Sequence, residues 1–332
     1  CLHGDHPHTV LIDGKRLKMY KKYSISSIGY KNPFQMKLCK LILPRQTQSL
    51  FLCYNNFMLD TRPSPIAGTW YEANPKTLAA TIDSYLNNAQ LPELDGKVVA
   101  VIAPHAGHTY SGHVAGYAFA ALRGSQPDLV VILSPYHNYS PHHLLVTAHE
   151  AYSTPLGDLE VDQAALEELQ TKLEFPITAI SKDREHSLEI ELPFLQRALK
   201  NEFKLLPIMV RAQSPRIAKR LGEALANILK DKNALIVAST DLSHFHDQKT
   251  ANILDHEMLK RFESFDPDSV FDAERTEKGF ACGHAAVASM LWAAKSLGAD
   301  KVQTLKYATS GDITGDHNSV VGYGAAVVLK QI

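Results

Sequence analysis

The chain lacks most of the features that give a function away quickly. Only four of its 332 residues are cysteine. Cys1, Cys39 and Cys53 lie in the first 60 residues, and Cys282 stands alone in the remainder. So few thiols argue against a disulfide framework and fit a reducing cytoplasm. Neither sign of charge is in excess, with 34 Lys and Arg against 35 Asp and Glu. No global field therefore argues for nucleic acid as a partner. No apolar run is long enough to cross a bilayer, so no membrane span is expected. The zinc patterns CxxC and HExxH are missing, as are a GxSxG serine elbow, a P-loop and a GxGxxG turn. The stretch GHTYSG (107–112) has too few glycines in register to cradle a phosphate.

What is present divides into two parts. Residues 1–60 show no sustained period of 2 or 3.6. The first 62 residues carry ten Lys and Arg but only three Asp and Glu. A transit peptide would be basic in this way but would show an amphipathic arginine pattern. A signal peptide would order its charged and apolar pieces differently. The expectation is an extension that is disordered or not native, with the real start near Met58. From Thr61 onward apolar strands and amphipathic helices alternate without an internal linker or repeat. This predicts one α/β domain over 61–332, with a central, mostly parallel or mixed sheet flanked by helices.

Three apolar runs organise that domain: KVVAVIA (97–103), LVVILS (129–134) and LIVAS (235–239). Uninterrupted apolar runs of this length suit strands buried on both faces. Each is followed by a loop bearing histidine: His105, His137 and His244. In open α/β sheets ligands bind beyond the carboxyl ends of the strands. Other predicted elements are helices starting at Asn74-Pro75 and Ser214-Pro215, where a capping residue precedes proline, a helix from about 113 to 122, a turn at 153–158, and a helix carrying Leu188, Leu192, Leu195 and Leu199.

The candidate chemical groups are therefore His105, His137, His244 and Asp241, Glu185 and His186 with Glu189 and Glu191 close behind, and Cys282 in GFACGH. Imidazole, thiolate and carboxylate are the usual donors to a transition metal. Their spacing matches no local zinc motif, so any site must be assembled from converging loops. Taken singly, each group has a plain structural explanation: Cys282 as a small buried hydrophobe, Asp241 as a turn cap, His108 and His113 as helix-entry residues. What singles them out is recurrence at equivalent strand exits.

The motifs AGTWYEANP, IAPHAGHTYSG, ILSPYHN, TPLGDLEVD, EHSLEIELPFLQ, LPIMV, STDLSHF, ACGHAA and GYGAA, in this order, resemble the MEMO family over about Pro65–Leu329. The resemblance implies a fold like that of class III extradiol ring-cleavage dioxygenases, which hold Fe(II) with two histidines and a glutamate. In the MEMO family it implies two histidines and a cysteine. Carried over by position, the metal residues are His105 in APHAG, His137 in SPYHN (where many relatives read PSHH) and Cys282 in ACGH. His244 corresponds to the dioxygenase acid/base histidine. His186 lines the pocket, and Asp241 is placed to orient His244. Fe(II) is the implied metal, with copper as the alternative, because a thiolate is softer than a carboxylate. Radical-SAM and AMMECR-type proteins are the implied partners. The leading expectation is a metal-dependent redox enzyme. A non-catalytic module binding a peptide or a metal is the alternative, and a hydrolase using Cys282 as nucleophile is a third.

Overall fold

The computed structural model describes residues 59–331 and the backbone of two short stretches before them. Those stretches, β1 (His8–Ile12) and β2 (Lys15–Met19), form an antiparallel pair within a separate unit, Cys1–Met58. The expectation of a disordered or non-native extension otherwise falls outside the described residues, as do Cys1, Cys39 and Cys53.

The second unit, Leu59–Ile332, carries the alternation read from the sequence. It opens with β3 (Thr61–Arg62), α1 (Pro75–Asn88), β4 (Lys97–Ala103), α2 (His108–Ala120), β5 (Leu129–Pro135) and β6 (Leu144–Thr147). A hairpin of β7 (Ala151–Thr154) and β8 (Gly157–Glu160) precedes α3 (Gln163–Lys172) and β9 (Ile177–Ile180). A 3-10 turn (Glu189–Glu191) leads into α4 (Leu192–Ala198), β10 (Lys204–Val210), α5 (Pro215–Leu229), β11 (Ala234–Ser239) and β12 (His244–His246). The chain continues through α6 (Gln248–Glu263), α7 (Pro267–Arg275), α8 (His284–Ser296), β13 (Lys301–Thr309), α9 (Gly311–Thr314) and β14 (Val320–Lys330).

The larger sheet has nine strands in the order β12-β14-β4-β11-β5-β10-β6-β9, with β13 beside β14. Its centre, β4-β11-β5-β10, is parallel, and antiparallel strands join on both flanks. The sheet is therefore mixed around a parallel core. Strand periodicity explains why the three core runs are apolar throughout. Val130 and Ile132 enter one helical layer while Leu129, Val131 and Leu133 enter the other. The first layer contains Leu78, Ile82 and Leu86 of α1, Phe119 of α2 and Phe194 of α4. The second contains Leu221 and Leu225 of α5, Met258 and Phe262 of α6, and Met290 and Leu291 of α8.

Asn74 caps α1 as expected, its side chain accepting the amides of Lys76 and Thr77 at 2.9 and 3.1 Å. Ser214 precedes α5 but makes no side-chain cap hydrogen bond, and two of the expected helices differ in extent. α2 begins at His108 rather than 113, and α4 is preceded by a 3-10 turn, so the leucine stripe at 188–199 spans two elements. α2 packs closely on α1. A Cβ on Gly112 would sit 2.5 Å from the Tyr85 ring, and one on Gly116 would sit 2.8 Å from the Tyr85 carbonyl. These glycines let α1 lie directly on α2, and the Tyr85 hydroxyl donates to the His108 carbonyl at 2.9 Å.

Candidate metal centre

The carboxyl ends of β4, β5 and β11 converge, and the loops leaving them build the site. His105 leaves β4, is 2% exposed, and is fixed at three points. Its amide donates to Asp241 Oδ1 at 2.8 Å, its Nδ1 lies 2.9 Å from Ser239 Oγ, and its Nε2 lies 3.1 Å from Cys282 Sγ. Ser239 is the last residue of β11, so the end of one core strand orients the histidine leaving its neighbour.

His137 leaves β5 and is held by Glu185. Its amide donates to Glu185 Oε2 at 2.7 Å, and its Nδ1 lies 2.8 Å from Glu185 Oε1. The same Oε1 accepts the amides of His186 and Ser187 at 3.0 and 3.1 Å. Burial opposes ionisation of Glu185, but the hydrogen bonds and charge of His137, with His186, hold its pKa down to about 2.

The His186 ring stacks on that of His137 with centroids 4.8 Å apart and 14° between planes, and Trp70 covers it at 4.2 Å. His105, His137 and His186 each offer a nitrogen, and the three nitrogens lie within 4.8 Å of one another. Burial holds His105 well below the ordinary imidazole range, assisted by His186, His137 and His244. Burial, with the charge of His137, lowers His186 to about 4 despite Glu185 beside it. Both rings are neutral at pH 7 and keep a lone pair for a ligated ion.

Cys282 lies just before α8 and meets His105 alone among these histidines; it is not one of the three clustered groups. Ligands about 2.3 Å (sulfur) and 2.0 Å (nitrogen) from one ion lie roughly 3–3.5 Å apart at ordinary bond angles. The observed 3.1 Å between Sγ and Nε2 fits that bite. Burial, then the charge of Asp241, pushes the thiol's pKa up. The loop can approach β11 because residue 283 is glycine: a Cβ there would meet Thr240 Cβ at 2.8 Å.

His244 does not join the three-histidine group. With Cys282, Leu242, Phe280, Glu274 and His284 it lines a cavity of about 290 Å³. Burial lowers its pKa, helped by His137 and His246. A bulge in the pairing of β12 with β14 puts Phe245 at φ 63° and leaves its ring exposed. Asp241, expected beside His244, instead holds the backbone of the His105 loop. Burial raises its pKa to about 7 against the amides of His105 and Ala106.

The sequence reading did not single out Arg62, Trp70 or Ser239. Arg62 is 1% exposed in the short strand β3. Its Nε pairs with Asp183 at 2.8 Å, its Nη1 with Glu189 at 2.5 Å, and its Nη2 donates to the Glu185 carbonyl at 2.8 Å. Ser64 and Tyr71 also donate to Glu189. This network sets the 183–189 loop that delivers Glu185 and His186. His108 is structural as expected, with Nε2 3.2 Å from the Ile190 carbonyl.

A family model described as Memo-like protein matches residues 62–327. A MEMO1 family protein of Nitrosopumilus maritimus is 36% identical over 270 residues, covering 80% of this chain and 98% of the relative. A MEMO1 family protein of Methanopyrus kandleri is 33% identical over 283 residues, covering 81% and 99%. One of Methanosarcina mazei is 33% identical over 272 residues, covering 81% and 100%. The crystal structure of an uncharacterized Escherichia coli K12 protein superposes with a TM-score of 0.46 at 13% identity, covering 70% of this chain and 100% of that one.

Proposed function

Because this chain belongs to the Memo-like (MEMO1) protein family, we propose that its histidine cluster holds a redox metal, Fe(II) or copper, and that the protein is a metal-dependent redox enzyme. The observation that carries this reading is the convergence of three imidazoles within 4.8 Å, with a thiol 3.1 Å from one of them. His105 and His137 each have Nδ1 engaged, by Ser239 and Glu185 respectively. That leaves Nε2 of both as donors, in the manner of histidines oriented for a metal by a second hydrogen bond. Cys282, deprotonated by the bound ion, would supply the third, anionic donor, and its softness favours copper more than a carboxylate would. His186, stacked on His137, stands as wall or further donor.

Bound Fe(II) or copper would supply the electron exchange that no side chain of this site offers alone. The chain's own residues bind and orient. Leu242 and Phe280 give the open pocket of about 290 Å³ beside His244 its apolar wall. His244, neutral at pH 7, accepts a proton from a substrate seated there. Burial of His105 and Asp241 excludes water from the donor side.

The test is oxygen consumption by the chain loaded with Fe(II) or Cu(I), across small phenols and thiols. His105→Ala should lose metal and turnover together. His244→Ala should keep metal and lose turnover by roughly 10²–10⁴-fold. If both variants bind metal like the parent, the assignment of His105 is wrong. If the loaded parent binds ligands without turnover, a non-catalytic binding module is the better description. A hydrolase built on Cys282 is disfavoured, because burial holds the thiol protonated where a nucleophile needs a thiolate.

A further inference from the structure

Behind His105 lies a buried group with no place in the scheme above. Glu191, in the 3-10 turn before α4, is 0% exposed, and its Oε2 has no hydrogen-bond partner among the described residues. Its Oε1 lies 2.7 Å from Ser239 Oγ. The same hydroxyl lies 2.7 Å from the Ser187 carbonyl and 2.9 Å from His105 Nδ1. Three short contacts thus meet at one hydroxyl, which owns one proton and two lone pairs.

Counting protons leaves a single arrangement that satisfies all three. The Ser187 carbonyl can only accept, so the Ser239 proton goes there. Ser239 Oγ must then accept from both remaining partners, which requires a proton on His105 Nδ1 and another on Glu191 Oε1. An ionised Glu191 would leave either its own oxygen or the Ser187 carbonyl facing Ser239 Oγ at 2.7 Å with no proton between them.

We propose that Glu191 is a positioning residue held as a neutral carboxylic acid, and that through Ser239 it locks His105 in the tautomer protonated on Nδ1. The orphaned Oε2 fits this state, since an unpaired carbonyl oxygen costs far less to bury than a carboxylate oxygen. Burial, reinforced by Asp241, raises the Glu191 pKa well above the ordinary range. The chain of donors then runs one way on each side of the ring. The Cys282 thiol donates to Nε2, and Nδ1–H donates to Ser239. Loss of the thiol proton would free Nε2 with its lone pair already aimed. This last consequence rests on the reading of His105 as a metal ligand; the tautomer and the neutral acid do not.

Two measurements on the metal-free full chain near neutral pH test the proposal. In the infrared difference between parent and Glu191→Gln, a carboxylic-acid carbonyl band should be lost from the parent, with no loss of carboxylate bands. In ¹⁵N-histidine spectra, assigned with His105→Asn, His105 should carry its proton on Nδ1. Glu191→Gln, which replaces the O–H donor by N–H, should leave that resonance in place. Ser239→Ala should lose the single tautomer. Carboxylate bands in the difference spectrum, or an Nε2–H tautomer in the parent, would overturn the proposal. The parent's nitrogen spectrum decides even if a variant fails to fold. A correct tautomer in a chain that binds no Fe(II) would remove the ligand reading and leave this one standing.

Discussion

Replacing Arg62 by methionine tests how the site is carried by residues that never touch it. The guanidinium is buried against Asp183, Glu189 and the Glu185 carbonyl, and it lies 5.0 Å from the centroid of the Tyr152 ring. Methionine keeps much of the volume and removes the charge. It leaves two buried carboxyl groups unpaired, and breaking one side of a buried ion pair costs about 3–5 kcal/mol. For a domain of this size each kcal/mol moves the melting temperature by roughly 2–4 °C, so a fall of about 6–20 °C is expected. The loss should depend on pH in a definite direction. Burial raises the pKa of Asp183 and of Glu189 even with Arg62 present. Without Arg62 both rise further, so the folded variant binds protons that the unfolded chain does not. Its penalty is therefore greatest at neutral pH and shrinks as pH falls toward the folded carboxyl pKa values. Thermal melts of parent and Arg62→Met from pH 7 to pH 4.5 read this directly. A fall of less than about 1 kcal/mol at pH 7, or a gap that widens as pH drops, would refute the reasoning.

Three further outcomes follow from the same geometry. Glu185→Gln places an amide among donors that all need an acceptor, so metal affinity should fall about 10- to 100-fold by titration while the helical circular dichroism is retained. Gly283→Ala forces a Cβ against Thr240, so a melt should show about 1–3 kcal/mol of destabilisation, and alkylation of Cys282 should change rate. Gly116→Ala pushes α1 off α2 at the Tyr85 carbonyl and should cost a similar amount without altering metal affinity, which separates packing from site geometry.

The parallel core was legible because β4, β5 and β11 are buried on both faces, and a strand in that position has no polar side to hide its pattern. Where those strands end, the positions of His105 and His137 were legible for the same reason, whereas His244 stands outside the three-histidine group and Asp241 holds the His105 backbone rather than orienting His244. Cys282 came from a motif rather than from any period. Arg62 was not legible: its partners lie more than 120 residues away, and nothing near it in sequence marks it as buried. Ser239 was hidden because a serine closing an apolar strand reads as its polite end, not as the group that orients a histidine on the next strand. His186 was read as a pocket wall, and the tight turn over Glu185 that brings it within reach of His105 and His137 has no periodic signature. α7 was missed although Asp266-Pro267 carries the same cap-then-proline signal as Asn74-Pro75. β12, at three residues, is too short for any period to show.

The measurement that bears most directly on the account is metal stoichiometry after anaerobic reconstitution with Fe(II) or Cu(I), for the parent beside His105→Ala, His137→Ala and Cys282→Ser. The account predicts close to one ion per chain in the parent, lost in both histidine variants and weakened in Cys282→Ser. A parent that binds neither ion, or histidine variants that bind as the parent does, would contradict it.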